Sequence, residues 1–384
     1  MMEMTMLPIE LTATTTFGLE AIVKRELQNL GYRVDEVSDG KVTITARKED
    51  IPRTNLWIRS ADRILLNMGS FPVRTFDELF EGTRALPWDE WISRDGSFPV
   101  SGKSSKSVLS SVPACQGIVK KAIVEKMKAN YHVERFPESG PSFPVQVSLL
   151  NDIANLTIDT SGIALHKRGY RNKAVEAPLK ETLAAAMVQL SFWNADRLLV
   201  DPFCGSGTIL IEAALIGHNI PPGLHRTFAS ERWPAVPGCF WQSVREEAEG
   251  LINRSSKLVI HGFDIDQRAV GISRENARKA GVMDAVHFSV RPLEKTDLAQ
   301  RYGVVITNPP YGERTGKRET VQHLCREIGR IFRSDPTWSV YVLSPENDFE
   351  RLYGKKADRK RKLFNGTIQV NYFQFYGERP PRGH

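Results

Sequence analysis

The sequence predicts an α/β protein whose second half is a parallel sheet covered by helices on both faces, preceded by a first half of mixed α+β build. Three observations carry this expectation. From Leu198 onward, short apolar strands alternate with helical segments, the pattern of parallel strands joined by helical crossovers. Before about residue 165 the elements are short and irregularly mixed. Near the end, Asn365-Gly366 separates two strand-like runs, a hairpin signal that adds an antiparallel pair at the edge of the sheet.

In the first half, Leu19, Ile22, Val23, Leu27 and Leu30 recur at helical spacing, and Gly31 supplies a stop. Val42 and Ile44 alternate as in a half-buried strand. Residues 54–68 read as a helix, 76–91 as a helix broken by Pro87, and 112–127 as a third with Ile118, Val119, Ala122, Ile123 and Met127 inward. Residues 145–149 and 153–160 read as strands around an Asn-Asp turn. In the second half, strands fall at 198–200, 258–263, 286–290, 303–307 and 339–343, helices at 208–215, 267–280 and 321–332, and hairpin strands at 361–364 and 367–376.

Composition narrows the function classes. At 384 residues, 41% hydrophobic and 25% charged, the chain is globular and large enough for two or three cores. It has no apolar run of bilayer length and no basic start followed by an apolar stretch, so a cytoplasmic protein is expected. Cys115, Cys204, Cys239 and Cys325 are scattered without ligand spacing, which supports neither a disulfide framework nor a metal site. A net charge of +7 favours a polyanionic partner. The cations concentrate at Lys355, Lys356, Arg359, Lys360, Arg361 and Lys362, with a second group at Lys103 and Lys106; either group also reads as solvated surface.

Three strand-end segments carry chemistry. Asp201-Pro-Phe-Cys-Gly-Ser-Gly-Thr208 lies between a strand and a helix. Gly205 and Gly207 permit close ligand approach, and Asp201 puts a carboxylate where a phosphate cradle would need Lys. A lone GxG is an ordinary tight turn; its neighbours give it meaning. Gly262-Phe-Asp264-Ile-Asp266 ends the next strand, where Asp264 can accept from both hydroxyls of a ribose, while Asp266 reads as a helix cap. Asn308-Pro309-Pro310-Tyr311 follows a third strand. There the Asn308 side-chain oxygen and the Pro309 carbonyl can accept both hydrogens of one amino group. Bending those hydrogens from a base's plane concentrates density on a nitrogen whose lone pair is otherwise delocalised. The amine can then attack the methyl of a sulfonium, with Tyr311 stacked on the base.

Other residues read more plainly. Cys204 is a buried filler, and Glu212 a buried carboxylate needing a partner such as a backbone amide or Arg314. His218, His225 and His261 are isolated. Trp233, Phe240 and Trp241 either offer stacking to a substrate or pin their own loop, and the second reading is preferred.

DPFCGSGT, GFDID and NPPYGER, in this order, resemble motifs I, II and IV of the amino-group-directed class I methyltransferases. His166-Lys-Arg-Gly-Tyr-Arg171 and the stretch from Ala177 to Ala186 are similar to the linker and motif X of the THUMP-domain RNA guanine-N2 methyltransferases, above all the bacterial enzymes of large-subunit ribosomal RNA. Phe17-Gly-Leu-Glu20 and residues 103–109 look like the family's ferredoxin-like and THUMP parts.

The resemblance implies a Rossmann-like class I methyltransferase domain over 166–384, preceded by a ferredoxin-like domain over 1–60 and a THUMP-like domain over 61–165. It implies S-adenosylmethionine as cofactor, structured RNA (23S ribosomal RNA foremost) as partner, N2-methylguanosine as product, and neither membrane nor metal. Residue by residue, Asp201, Phe203, Gly205 and Gly207 would contact the methionine part, and Pro178, Leu179 and Thr182 would close over it. Asp264 would hold the ribose, and Asn308, Pro309 and Tyr311 the target base. The family's adenine-binding acid after the third strand is replaced by Val290-Arg-Pro292, which leaves Asp297 as the candidate. Lys103, Lys106, Lys355, Lys356, Lys360 and Arg361 are the RNA-binding candidates. Some relatives carry a second methyltransferase domain, which a chain ending at His384 is expected to lack. Adenine-N6 DNA and glutamine-N5 protein methyltransferases share the NPPY element, a transfer-RNA guanine-N2 enzyme shares the whole architecture, and a non-catalytic RNA-binding factor is the alternative from another class.

Overall fold

The computed structural model describes residues 8–132, 136–171, 179–296, 300–311 and 318–381. It forms two compact units, each assembled from separated stretches: Met1–Thr15, Val23–Leu165 and Arg226–Glu247 in one, Thr16–Ile22, His166–His225 and Ala248–His384 in the other. Each unit has one sheet, seven-stranded among the described residues.

The first unit contains β1 (Ile9–Thr14), α1 (Glu20–Asn29, whose first residues belong to the second unit), β2 (Val34–Ser38), β3 (Lys41–Ala46), α2 (Asp50–Trp57), β4 (Arg63–Pro72), α3 (Phe76–Arg84), β5 (Val100–Ser105), α4 (Val112–Tyr131), β6 (Val145–Leu150) and β7 (Ile153–Asp159). Its strand order is β2-β3-β1-β4-β7-β6-β5, antiparallel except for β5 beside β6. The helix expected over 54–68 is not there: α2 stops at Trp57 and β4 follows. β4 lies between β1 and β7, and Ile64, Leu65 and Leu66 are all buried. A strand covered on both faces loses its alternation and reads like a helix. The Asn151-Asp152 turn has φ of 52° and 59°, the left-handed pair a tight hairpin requires. β1, β2 and β5 were not expected; β5, VSGKSS, carries almost no strand preference of its own.

The second unit contains α5 (Glu181–Gln189), β8 (Leu199–Asp201), α6 (Thr208–Gly217), the end of α7 (Gly238–Gly250, otherwise in the first unit), β9 (Ile260–Asp264), α8 (Gln267–Lys279), β10 (Val286–Val290), β11 (Val304–Thr307), α9 (Arg318–Phe332), β12 (Ser339–Ser344), α10 (Phe349–Tyr353), β13 (Arg359–Asn365) and β14 (Ile368–Phe375). The order β10-β9-β8-β11-β12-β14-β13 is parallel through β12, with β14 and β13 antiparallel at the edge, as the sequence predicts. Alternate residues explain the two-faced burial: Leu199, Val304 and Ile306 face one core, Val200 and Val305 the other. β13 begins at Arg359, so the cations at 359–362 sit within the outermost strand and do not precede the hairpin.

The inserted stretch Arg226–Glu247 folds into the first unit. Trp233 stacks on Phe143 at 4.9 Å and its Nε1 donates to the Ser142 carbonyl at 2.9 Å, while Trp241 stacks on Phe228 at 4.9 Å. These aromatics anchor their own loop.

Candidate active site

β8, β9 and β11 run parallel, so Asp201, Asp264 and the residues after Thr307 emerge at one edge of the sheet, its carboxyl edge. The turn after β8 is tied down almost atom by atom. Cys204 N donates to Phe263 O at 2.9 Å, Gly205 N to Asp264 Oδ2 at 3.0 Å, and Gly207 N to Cys204 O at 2.7 Å. From α8, Asn276 Nδ2 donates to Ser206 O at 3.0 Å. Gly207 has φ of 79°, and a Cβ there would meet Phe288 and Ser273 at 3.0 Å, so it is a packing glycine. Gly205 has φ of 51° and open space where its Cβ would project. The two glycines therefore differ in purpose: one fits the helix to the sheet, the other leaves room.

Asp201 is buried, with Oδ1 accepting from Phe203 N at 3.1 Å and from Thr307 Oγ1 at 2.6 Å. Burial pushes its pKa up to about 7, aided by the nearby Asp264 charge and opposed by those two hydrogen bonds. Asp264 is half-buried; its Oδ2 accepts from Gly205 N and its Oδ1 from Asp266 N at 2.9 Å. Each carboxylate oxygen keeps a further lone pair for a donor such as a ribose hydroxyl. Asp266 caps α8, accepting from Arg268 N at 2.8 Å, as expected. The missing Cβ of Gly205 beside this carboxylate is the space a nucleoside cofactor needs, and the donor set fits one.

After β11, Asn308 is half-buried, Pro309 buried and Pro310 exposed. Tyr311 Oη donates to Asn308 Oδ1 at 2.6 Å, and the Asn365 side chain near it partly offsets the effect of burial on its pKa. Burial raises the Tyr311 hydroxyl to about 12, which keeps it a donor at neutral pH. The Tyr311 ring is packed partly against the core. Tyr311 thus fixes how the Asn308 amide points, and one lone pair of Oδ1 stays available.

Behind the turn lies a polar layer the sequence did not reveal. Arg171 donates to Thr208 Oγ1 at 2.6 Å and to the Leu179 carbonyl at 2.9 Å, and pairs with Glu181 at 3.5 Å. Glu212 is fully buried; it accepts from Tyr170 Oη at 3.0 Å and lies 3.5 Å from Arg168 Nε. Arg314 and two proposed cofactor residues, Pro178 and Asp297, lie outside the described residues. Leu179 and Thr182 are buried at the start of α5. Cys204 is buried and its thiol is pushed well above the usual range by burial, an inert filler. A cleft of about 260 Å³ lined by Arg168, Tyr170, Leu215, Pro221 and Lys279 opens at the far end of α6 and shares no residue with the DPFCGSGT, GFDID or NPPY segments.

Both basic groups lie on outer strands. Lys103 is on β5 and Lys106 just beyond it, both exposed; Lys360 and Arg361 are on β13, and Lys355 and Lys356 precede it. Lys355 is 3.7 Å from Asp358 and Lys360 4.0 Å from Glu350. Cations on an outer strand also deter edge-to-edge pairing.

A largely parallel sheet with a glycine turn, a strand-end acid and an Asn-Pro-Pro-Tyr loop at one edge defines a Rossmann-like methyltransferase fold. Comparison with known proteins agrees. The RMKL-like methyltransferase domain model matches residues 168–374, the RlmL ferredoxin-like domain model residues 10–65, and the THUMP domain model residues 73–159. Over 378 residues the chain is 49% identical to YpsC of Bacillus subtilis, named as a candidate RNA methyltransferase, covering 97% of each. It is 35% identical over 373 residues to the ribosomal RNA large subunit methyltransferase K/L of Cellvibrio japonicus, covering 93% of this chain and 50% of that longer one. Among solved structures, a predicted N6-adenine-specific DNA methylase from Listeria monocytogenes superposes with a TM-score of 0.93 at 49% identity, 97% of each chain covered. SMU.472, a candidate methyltransferase complexed with S-adenosylhomocysteine, gives 0.93 at 46% identity, covering 97% of this chain and 99% of that one. The chain belongs to the RMKL-like family of RNA methyltransferases, with a THUMP domain and a ferredoxin-like domain ahead of its methyltransferase domain.

Proposed function

We propose that this protein transfers a methyl group from S-adenosylmethionine to the exocyclic N2 of a guanine in 23S ribosomal RNA. The observation that carries the reading is the arrangement of Asn308. Its amide is oriented by Tyr311 at the strand end whose Thr307 is bonded to Asp201 of the glycine turn. S-adenosylmethionine supplies an electrophilic methyl on sulfur. Asp264 holds the ribose, Asp201, Phe203, Gly205 and Gly207 border the methionine part, and Leu179 and Thr182, with Pro178, close over it. Asp297 is the candidate for the adenine amino group. Asn308 Oδ1 and the Pro309 carbonyl accept the two hydrogens of the amine, which frees its lone pair for in-line attack. Tyr311 keeps the Asn308 amide in register and lies against the base. As the carbon–nitrogen bond forms, the carbon–sulfur bond would break to leave the neutral thioether S-adenosylhomocysteine, and the cationic amine would then pass its extra proton to solvent, so no strong base is needed before attack.

The THUMP domain match favours RNA over the DNA substrate in the Listeria protein's name, and the relation to the Cellvibrio enzyme favours large-subunit ribosomal RNA. Lys103 and Lys106 from the first sheet, with Lys355, Lys356, Lys360 and Arg361 from the second, contact phosphates and fix register. The three parts at 1–60, 61–165 and 166–384 divide the labour between RNA docking and chemistry. Mass spectrometry of ribosomal and transfer RNA from cells with and without the gene tests this. One N2-methylguanosine is expected to vanish from 23S RNA; its loss from transfer RNA alone would overturn the substrate.

A further inference from the structure

Phe17 is 49% exposed and sits in the turn that opens α1. Single exposed aromatics are common, but this one is held in place unusually well. Leu19 N donates to Thr16 O at 3.1 Å, and Gly18 N donates to Glu20 Oε2 at 2.9 Å. Gly18 has φ of 93°, and a Cβ there would come within 2.8 Å of the Lys362 carbonyl oxygen of β13. Only glycine lets the turn lie this close to the strand. The result is an edge-to-face pair, Phe17 on Phe364, with centroids 6.0 Å apart and planes at 72°. Lys362 Nζ lies 5.8 Å from the Phe364 ring centre. The next residue, Asn365, lies near enough to the Tyr311 hydroxyl to influence its pKa. An exposed Phe17, with a cation beside it, is therefore braced by the half-buried Phe364, one residue from the Asn365 side chain that neighbours Tyr311, the residue that orients Asn308.

We propose that Phe17, buttressed by Phe364 and flanked by Lys362, is a stacking platform for an unpaired nucleotide of the RNA substrate next to the target base. This rests on the proposed RNA methyl transfer and deepens it. A ring face of this kind takes any base, because every base has a π face, and the neighbouring ammonium takes that nucleotide's phosphate. A base drawn from its stack leaves its neighbour without a partner on one side, and Phe17 supplies that partner beside the catalytic loop.

Binding of a fluorescein-labelled single-stranded RNA, and of a 23S RNA transcript, to the full chain tests this by anisotropy across a salt series. Phe17→Ala is expected to weaken binding about tenfold with an unchanged salt slope, and Phe17→Tyr to restore it. Phe17→Leu, which keeps apolar bulk without a π face, is expected to behave like Phe17→Ala. Lys362→Ala is expected to lower the salt slope by about one phosphate. Thermal melting of each variant shows whether the fold is kept. Phe17→Leu binding as tightly as wild type, or Phe17→Ala weakening nothing, would overturn the platform. Methylation of the transcript by wild type is measured in parallel; its absence would overturn the methyl-transfer reading while the binding series still decides on Phe17.

Discussion

The two loops that meet at the carboxyl edge of the second sheet are built by opposite means. The turn from Asp201 to Thr208 is held through its main chain and by a layer of Arg171, Glu181, Arg168 and Glu212 behind it. Cys204, Gly205 and Gly207 N donate to Phe263 O, Asp264 Oδ2 and Cys204 O respectively, and Ser206 O accepts from Asn276. The loop from Asn308 to Tyr311 is held by a side-chain bond, Tyr311 Oη to Asn308 Oδ1. Many ties converging on main-chain atoms fix a backbone surface, which suits a cofactor that every turnover must bind alike. Side-chain ties place one amide group and leave it able to answer a substrate. On the proposed assignment, the cofactor side is preorganised by many ties to its backbone and the substrate side by the single hydrogen bond from Tyr311 to Asn308.

That contrast is open to attack on each side. On the substrate side, Asn308→Ala is expected to cost on the order of a thousandfold in kcat, with RNA and cofactor affinity little changed, as when one preorganised polar group is removed from an active site. Steady-state kinetics with labelled donor measure it; an equal rise in KM with kcat intact would mean that Asn308 only binds. On the cofactor side, the effect is smaller and lies in stability. The Asp201 pKa is about 7 in the folded chain, against an ordinary value of 3.8, so between those pH values the folded chain holds a proton that the unfolded chain has lost. Stability of the cofactor-free protein is therefore expected to fall as pH rises from about 4 to about 7. Asp201→Asn, which can still accept from Thr307 and Phe203, is expected to flatten that slope. Denaturant melts at several pH values check this, and a wild-type stability that rises through the window would contradict the burial argument.

Much of the site was legible because its constraints are local. Glycines at a strand-to-helix turn, an acid at a strand end and two prolines after an Asn each restrict the chain within a few residues, and so announce themselves. What stayed hidden depends on partners far apart in sequence. Thr307 and Asp201 are 106 residues apart, Tyr170 and Glu212 are 42, and nothing in VVIT or in HKRGYR marks either pairing. Glu212 was seen to need a partner, but the partner came from the linker. The fold follows the same division. Alternating strands and helices of the second unit read correctly, whereas β4 looked helical because consecutive residues at its start, Ile64 to Leu66, are buried on both faces, and β5 was missed because VSGKSS is a strand only beside β6.

We propose that the Asn308 loop activates an exocyclic guanine amine of RNA. The most direct test of this proposal incubates the purified chain with tritiated S-adenosylmethionine and RNA from cells lacking the gene, then identifies the labelled nucleoside after complete digestion. Wild type is predicted to yield labelled N2-methylguanosine and Asn308→Ala none, with RNA binding retained. Label in N6-methyladenosine, or N2-methylguanosine formed equally well by Asn308→Ala, would contradict it.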